Sequence, residues 1–175
     1  NASLQRNLGA SQAKGTYLVF FDADVRLTGN YLNLVKTELQ KIKVPVLTTY
    51  VKPDSRSIYD RAIAQTLNAL FDTSVLFEKQ FLPGFNFIVL KSVFDLVGGF
   101  NREIKYIDDW DLALRLGQAG YKLKVLKKPK IIFCLRRYRE EGRLKVLRKN
   151  AQVALHLFTK GPVTKEIYTY PMGGG

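Results

Sequence analysis

The chain has 175 residues, of which 46% are hydrophobic and 25% charged, enough for one globular domain with a real core. A single cysteine, Cys134, excludes an internal disulfide framework and a cysteine-based zinc site, and a single histidine, His156, leaves little room for Ser-His-Asp or histidine-metal chemistry, so chemistry here must rest on carboxylates. The net charge of +13 is regional: residues 122–149 hold twelve Lys/Arg against Glu140 and Glu141, while residues 1–121 hold fourteen Lys/Arg against twelve Asp/Glu.

In chain order, "SLQRNLGASQAKG" reads as a helix with Leu4 and Leu8 at i,i+4 spacing. "TYLVFF" (16–21) is a β-rich run that suits a buried strand. Residues 30–42 place Leu32, Val35, Leu39 and Ile42 at helical spacing behind a capping Asn30. "VPVLTTYV" (44–51) predicts a second strand, its proline tolerable near the start. A long helix is expected from about Ser57 to Phe77, with Ile58, Ala62, Leu67, Leu70 and Phe71 as core positions. "FNFIVL" (85–90) predicts a third strand, followed by a short helix in "SVFDLVGG". Residues 109–120 form a helix with Leu112, Leu116 and Ala119 on one side. "YKLKVLKK" (121–128) and "KIIFCL" (130–135) predict two strands, and a last helix runs from about Glu140 to Phe158. Alternating strands and helices indicate an α/β layered domain. No apolar run approaches the roughly 18–20 residues that span a bilayer, and no signal-peptide pattern opens the chain.

Three constellations carry chemistry. In "FFDAD", Asp22 and Asp24 follow an apolar strand directly, and in open α/β sheets ligands sit outside the carboxyl ends of the strands. Side chains two apart in an extended segment point the same way, so both carboxylates can face one site. Their mutual repulsion is relieved by a hard divalent cation, or the pair simply caps a turn. In "YIDDWDLALRL", Asp108, Asp109 and Asp111 open a helix whose positive end favours acids. Asp111 with Arg115 is a good i,i+4 pair. A carboxylate there serves either as a cap or as a general base toward a hydroxyl. "PGFNFIVLKSVFDLVGGFN" supplies glycines at 84, 98 and 99 for close backbone approach, with Phe85, Phe87 and Phe100 more suited to core than to a ligand platform. The basic run suits phosphates, an anionic membrane surface or nucleic acid, or is an ordinary solvated face.

The order and spacing of these blocks resemble a family 2 glycosyltransferase of the inverting GT-A type. "RNLGASQAKGTYLVFFDAD" resembles that family's R-N-x-G block leading to D-x-D. "GFNFIVLKSVFDLVGGFN" resembles its acceptor-side block, and "DDWDLALRLGQAGYKL" its E-D-x-D-L-x-x-R-L block. The resemblance implies a GT-A fold, a nucleotide-diphospho-sugar transferase type of layered α/β domain with a mixed central sheet. It implies a catalytic region over 1–135, with residues 136–175 as a basic C-terminal helical extension and tail. Asp24 would be the direct metal ligand, and Asp22 would bind metal or lie nearer the donor's ribose or phosphate. Arg6 would sit near the nucleotide. Asp109 would be the catalytic base, with Asp108 in place of the usual glutamate. "CLRRYREEGRLK" resembles a segment found in some members, in which Arg136, Arg137 and Arg139 would meet diphosphate or acceptor phosphate.

Mg²⁺ or Mn²⁺ and a UDP- or GDP-sugar donor are implied, with a glycan or lipid-linked acceptor and no nucleic acid. A cytoplasmic location follows, with peripheral contact at the membrane through the amphipathic run 143–158 or, in the plainer reading, packing of that run on the sheet. The family's opening strand and its base-holding aspartate are not found, so the first βα units, roughly 70–90 residues by the size of two such units, are expected to be missing. An open sheet edge would then favour self-association. Two further readings stand beside the transferase: a non-catalytic basic module for anionic lipid or nucleic acid, and an inactive transferase remnant.

Overall fold

The short apolar runs become strands of one sheet, and the helices fall on either side of it. The computed structural model describes residues 2–76, 81–104, 108–149 and 152. Its elements are α1 (Ala2–Gln12), β1 (Tyr17–Phe21), α2 (Tyr31–Ile42), β2 (Val46–Pro53), α3 (Ile58–Leu76), β3 (Asn86–Leu90), α4 (Lys91–Leu96), α5 (Asp108–Gln118), β4 (Leu123–Phe133) and α6 (Arg136–Glu140). Residues 143–149 are again helical.

The sheet order is β1-β3-β2-β4. β3 runs antiparallel to both β1 and β2, and β4 runs parallel to β2. The sheet is therefore mixed, and the carboxyl ends of β1, β2 and β4 share one rim with the amino end of β3. Successive residues point to opposite faces. Val46, Phe87 and Val89 pack with Phe94, Leu112 and Leu116 on one side, while Leu47, Val51 and Ile88 pack with Tyr31, Val35 and Phe71 on the other. That alternation makes three layers: α4 and α5 with the end of α1 over one face, α2 and α3 over the other.

Several expectations change in the structure. The two strands expected over 121–128 and 130–135 are one strand, β4, whose register with β2 shifts between Thr49 and Val51. Residues 127–130 bulge out opposite Tyr50, and Lys130 Nζ lies 5.7 Å over the Tyr50 ring. The last helix begins earlier, at Arg136, and is interrupted at Gly142, whose φ of +91° a side-chain-bearing residue rarely adopts. Its expected continuation through Ala154, Leu155, His156 and Phe158 lies outside the described residues.

Helix faces also rotate from their predicted positions. Leu4, Leu8, Leu32, Ile58 and Leu70 are exposed, as are Ala62 and Ala119, whereas Ser3, Ala10, Tyr31, Asp60, Ala64, Asn68 and Ser74 are buried. Polar residues can turn inward because each finds a partner there. The Tyr31 hydroxyl donates to Asn86 Oδ1 and bonds Thr49 Oγ1, both at 3.0 Å. Asn68 receives the Val51 N–H at 2.9 Å and donates to the Val51 carbonyl at 3.0 Å, taking the place of a strand partner at the bulge. Both contacts are buried, so Asn68→Ala strands two backbone groups. It should lower stability by about 1–3 kcal/mol without shifting activity per folded molecule. Chemical denaturation followed by circular dichroism reads the loss, and an unchanged midpoint would contradict it.

Candidate active site

The rim where the parallel strands end collects residues from four separate segments. β1 closes at Phe21, and Asp22 stands immediately beyond it with its N–H bonded to the Phe85 carbonyl at 3.4 Å. The chain then turns: the Val25 N–H reaches back to the Asp22 carbonyl at 3.2 Å. Asp22 and Asp24 therefore sit on a tight turn, not on an extended segment, and both are exposed. Two residues further, Arg26 and Ile132 exchange both backbone hydrogen bonds, at 3.1 and 2.8 Å, which anchors the turn to β4.

α1 contributes one polar face built from Ser3, Arg6 and Asn7, at i,i+3 and i,i+4 spacing. Arg6 is the junction. Its Nη2 donates to Asp22 Oδ1 at 2.8 Å and approaches the Gly84 carbonyl at 3.4 Å, while its Nη1 donates to Asp108 at 3.1 and 3.2 Å. The guanidinium also lies 5.2 Å over the Phe100 ring. Burial pulls the Arg6 pKa down, but the charges of Asp108, Asp22 and Asp109 outweigh it, so the value is raised and the side chain stays cationic. Ser3 Oγ donates to Asp108 Oδ2 at 2.8 Å, sharing that oxygen with Arg6. Asn7 brackets the Phe100 backbone, accepting its N–H at 2.9 Å and donating to its carbonyl at 2.8 Å. The blocks containing Asp22, Gly84, Phe100 and Asp108 thus meet on one helix face.

Asp109 occupies the centre. Its Oδ2 accepts the Gly84 N–H at 2.7 Å and its Oδ1 the Trp110 N–H at 3.0 Å. Burial pushes its carboxyl up, the Asp108 charge adds to that, and the two N–H groups with Arg6 hold it back. The result is a pKa of about 6 in place of 3.8. Although the residue keeps some surface, its carboxyl is enclosed by these groups. Gly84 is required to have no side chain: a Cβ there would stand 2.9 Å from Asp109 Oδ2 and 3.3 Å from Arg6 Nη2. Asp111 turns elsewhere and pairs with Arg115 at 2.6 Å, the structural ion pair its spacing suggests.

The expected phosphate-binding arginines lie at the same rim but are occupied differently. On α6, Arg136 is exposed with Glu140 at 3.9 Å, and Arg137 pairs with Glu141 at 2.7 Å. Arg139 turns inward onto Asp54 and Asp60. Ser3, Asn7, Asp54 and Asp60 did not stand out in the sequence. The available signal was a run of small polar residues at helical spacing opposite exposed leucines. Among the described residues, no three His, Cys, Asp or Glu side chains gather into a metal-ligand cluster.

Comparison with known proteins supplies relatives. Residues 2–139 match the family described as glycosyltransferase like family 2. A mannosyltransferase from Pyrobaculum calidifontis, solved in complex with GDP-Man and Mn²⁺, superposes with a TM-score of 0.54 at 14% identity, over 75% of this chain and 35% of that one. TarS from S. aureus, solved over residues 1–349, superposes with a TM-score of 0.54 at 15% identity, over 75% of this chain and 39% of that one. Identity this low speaks for the fold alone, and the chain spans little more than a third of either structure. No curated protein matches.

Two outcomes follow from the enclosure of Asp109. Gly84→Ala should cost about 1–3 kcal/mol, because the new methyl group must displace a hydrogen-bonded carboxylate. Asp109→Asn should change the pH dependence of stability. With its folded pKa above 3.8, Asp109 favours the folded state when protonated; that stability is fully present below about pH 4 and is lost as pH rises through about 6. Asn at this position carries a pH-independent cost of about 1–3 kcal/mol, because its NH2 group faces the Gly84 or Trp110 N–H. Between pH 4 and pH 7.5 the stability of the variant relative to the unmodified protein should nevertheless rise by on the order of 2 kcal/mol. Thermal melts of both proteins at the two pH values test this, and a difference that does not change with pH would count against it.

Proposed function

The chain belongs to the glycosyltransferase like family 2, and from that premise we propose that it carries the chemistry of an inverting sugar transfer from a nucleoside diphosphate donor to an acceptor hydroxyl. The observation that supports this reading most is the convergence of Asp22, Asp108, Gly84 and the enclosed Asp109 around one guanidinium.

Asp109 is the general base. A carboxylate with a pKa near 6 is ionised at neutral pH yet more basic than an ordinary one, which suits it to take a proton from an attacking hydroxyl. The hydroxyl oxygen bonds to the anomeric carbon while the bond from that carbon to the diphosphate oxygen breaks on the opposite face, and the hydroxyl proton passes to Asp109. The two N–H groups on Asp109 fix its orientation, and Asp108, held by Arg6 and Ser3, keeps the start of α5 against α1.

Asp24 and Asp22 would hold the cation. Their donor atoms are hard carboxylate oxygens on an exposed turn, and Asp22 engages Arg6 through Oδ1. Two protein carboxylates completed by phosphate oxygens and water are the donor set that Mg²⁺ or Mn²⁺ accepts. Such a cation would supply neutralisation of charge on the departing diphosphate. The GDP-Man and Mn²⁺ in the mannosyltransferase relative support a GDP- or UDP-linked donor and a divalent metal here. Arg136 and Arg137 would add cationic contacts to the diphosphate, with a glycan or lipid-linked molecule as acceptor. In the proposed domain layout, residues 1–135 form the catalytic region and the basic residues after them an extension of the same domain. No helix among the described residues is long and apolar enough to cross a membrane. Exposed Leu144 and Leu147, beside Arg143 and Arg148, support peripheral contact with the cytoplasmic face instead. A purely cationic binding module is the weaker reading, because Arg137, Arg139, Arg143 and Lys149 each pair with an acid.

In the intact protein, Asp109→Asn should lower turnover by about 10³-fold while donor affinity stays within about twofold. For the unmodified protein, kcat/KM should fall tenfold per unit as pH drops below about 6, since the base is then protonated. A pH profile flat from 5 to 7, or an active Asp109→Asn, would remove Asp109 from this role. Mn²⁺ relaxation measurements in the presence of GDP or UDP should place the ion at Asp24, and Asp24→Asn should abolish that signal.

A further inference from the structure

Four charged side chains at the catalytic rim are engaged with one another. Asp54 follows β2 and Asp60 lies in the first turn of α3, while Arg139 belongs to α6 and Arg143 begins the helical stretch 143–149. Arg139 forks onto both acids: Nη1 reaches Asp54 Oδ1 at 2.9 Å and Asp60 Oδ2 at 2.8 Å, and Nη2 reaches Asp54 Oδ2 at 2.8 Å. Arg143 donates to Asp60 Oδ1 through Nη2 at 3.1 Å and Nε at 3.3 Å, and its guanidinium lies 5.2 Å over the Tyr59 ring. Asp60 has no exposed surface and also receives Ser55 Oγ at 2.6 Å; Asp54 accepts the Leu135 N–H at 3.2 Å. Burial pushes the Asp60 carboxyl up, but the bonds from Ser55, Arg139 and Arg143 outweigh it and hold it below its usual range. Two guanidinium groups balance two carboxylates, so the cluster is neutral as a unit and costly to break by removing one member.

Its location gives the cluster a role beyond cohesion. Asp54 leaves the carboxyl end of β2, and Leu135 follows the carboxyl end of β4, the rim that also carries Asp22 and Asp24. Phe85, whose carbonyl accepts the Asp22 N–H, stacks on Phe133 at 4.5 Å. Ile132, bonded to Arg26 just past the acidic turn, lies four residues before Arg136. The acidic turn and the start of α6 are therefore fixed to the same end of β4. Arg136 is exposed there, with Glu140 at 3.9 Å.

We propose that Asp54 and Asp60 are positioning residues that, through Arg139 and Arg143, hold α6 on the catalytic rim so that Arg136 meets the diphosphate of a donor bound at Asp22 and Asp24. The proposal rests on the donor reading given above. It withdraws Arg139 from the phosphate ligands that the sequence suggests and makes it part of the support. A cation on an already ordered arm binds without the entropic penalty of ordering that arm, so the clamp contributes affinity without touching the ligand.

The test is a double-mutant cycle in the intact protein, with GDP and UDP, each with Mn²⁺, as probes in titration calorimetry. Asp54→Asn and Arg136→Gln should each weaken nucleoside diphosphate binding by about fivefold, with guanosine and uridine binding unchanged. The double variant should lose no more than the weaker-binding single variant, because both changes act through the same contact. Asp54→Asn should also speed amide exchange across residues 135–146 with α5 amides unchanged, whereas Arg136→Gln should leave exchange as it was. Arg143→Gln, at the outer side of the clamp, should reproduce the Asp54→Asn pattern and serves if that variant fails to fold. Independent, additive losses overturn the proposal, as does faster exchange with unchanged diphosphate affinity. If the unmodified protein binds neither GDP nor UDP, the donor reading fails and this inference fails with it; normal binding with additive losses sinks this inference alone.

Discussion

One guanidinium holds the candidate site together. Arg6 bonds Asp22 from the end of β1, Asp108 from the start of α5 and the Gly84 carbonyl ahead of β3, while its face covers the Phe100 ring. These partners lie 16 to 102 residues away in sequence. Without a cation among them, Asp22, Asp108 and Asp109 would bring like charges toward one another and push the segments apart. With it, Asp22 and Asp108 are drawn onto one guanidinium. α1 is thus part of the site's electrostatics as much as of the fold, which explains why its buried face is Ser3, Arg6, Asn7 and Ala10 instead of a leucine stripe. Lys91 completes the attachment: its ammonium group donates to the Ala10 carbonyl at 3.0 Å, satisfying one of the carbonyls near the end of α1.

Sheet polarity does the rest of the assembly. Because β3 alone runs antiparallel, the chain entering it through Gly84 and Phe85 arrives at the rim from which β1, β2 and β4 depart. Four loops meet at that rim although no two are adjacent in sequence. The two sheet edges differ in composition. β4 carries lysines at 124, 127, 128 and 130 with a bulge and a proline, features that discourage strand addition, whereas β1 reads YLVFF with no charge.

Elements were legible where the apolar period was strong. The runs that became β1, β3 and α5 were found within two residues, because strand alternation and an acidic helix start are local signals. Core positions were legible only where the buried face is apolar. In α3 the inward face is Asp60, Ala64, Asn68, Phe71 and Ser74, spaced as a helix requires but mostly polar, so a search for apolar spacing selected Ile58, Ala62 and Leu70 on the solvent side. The partners that let polar residues turn inward, Arg139 for Asp60 and the Val51 backbone for Asn68, lie too far along the chain to be read locally. The acids of the site were recognisable as acids ending a strand and opening a helix. Arg6 was tied to them only through the family resemblance and Gly84 only as a place for close backbone approach, since their contacts with Asp22, Asp108 and Asp109 exist only once the sheet has formed.

Asp109 and Asp60 show why buried carboxylates in one small domain can have opposite properties. Both lie in the first turn of a helix and both accept several hydrogen bonds, so the helix end distinguishes neither. What differs is the partner. Asp60 receives two guanidinium groups and a hydroxyl, and its pKa is lowered against the effect of burial; Asp109 receives two backbone N–H groups beside the like charge of Asp108, and its pKa rises to about 6. Charged partners confer stability at the expense of basicity, since a carboxylate so neutralised has little tendency to take a proton. Neutral donors orient a carboxylate and leave it basic. Among the described residues, Arg6, Arg139 and Arg143 hydrogen-bond Asp22, Asp54, Asp60 and Asp108, whereas Asp109 is bonded by backbone N–H groups and feels Arg6 only as a nearby charge.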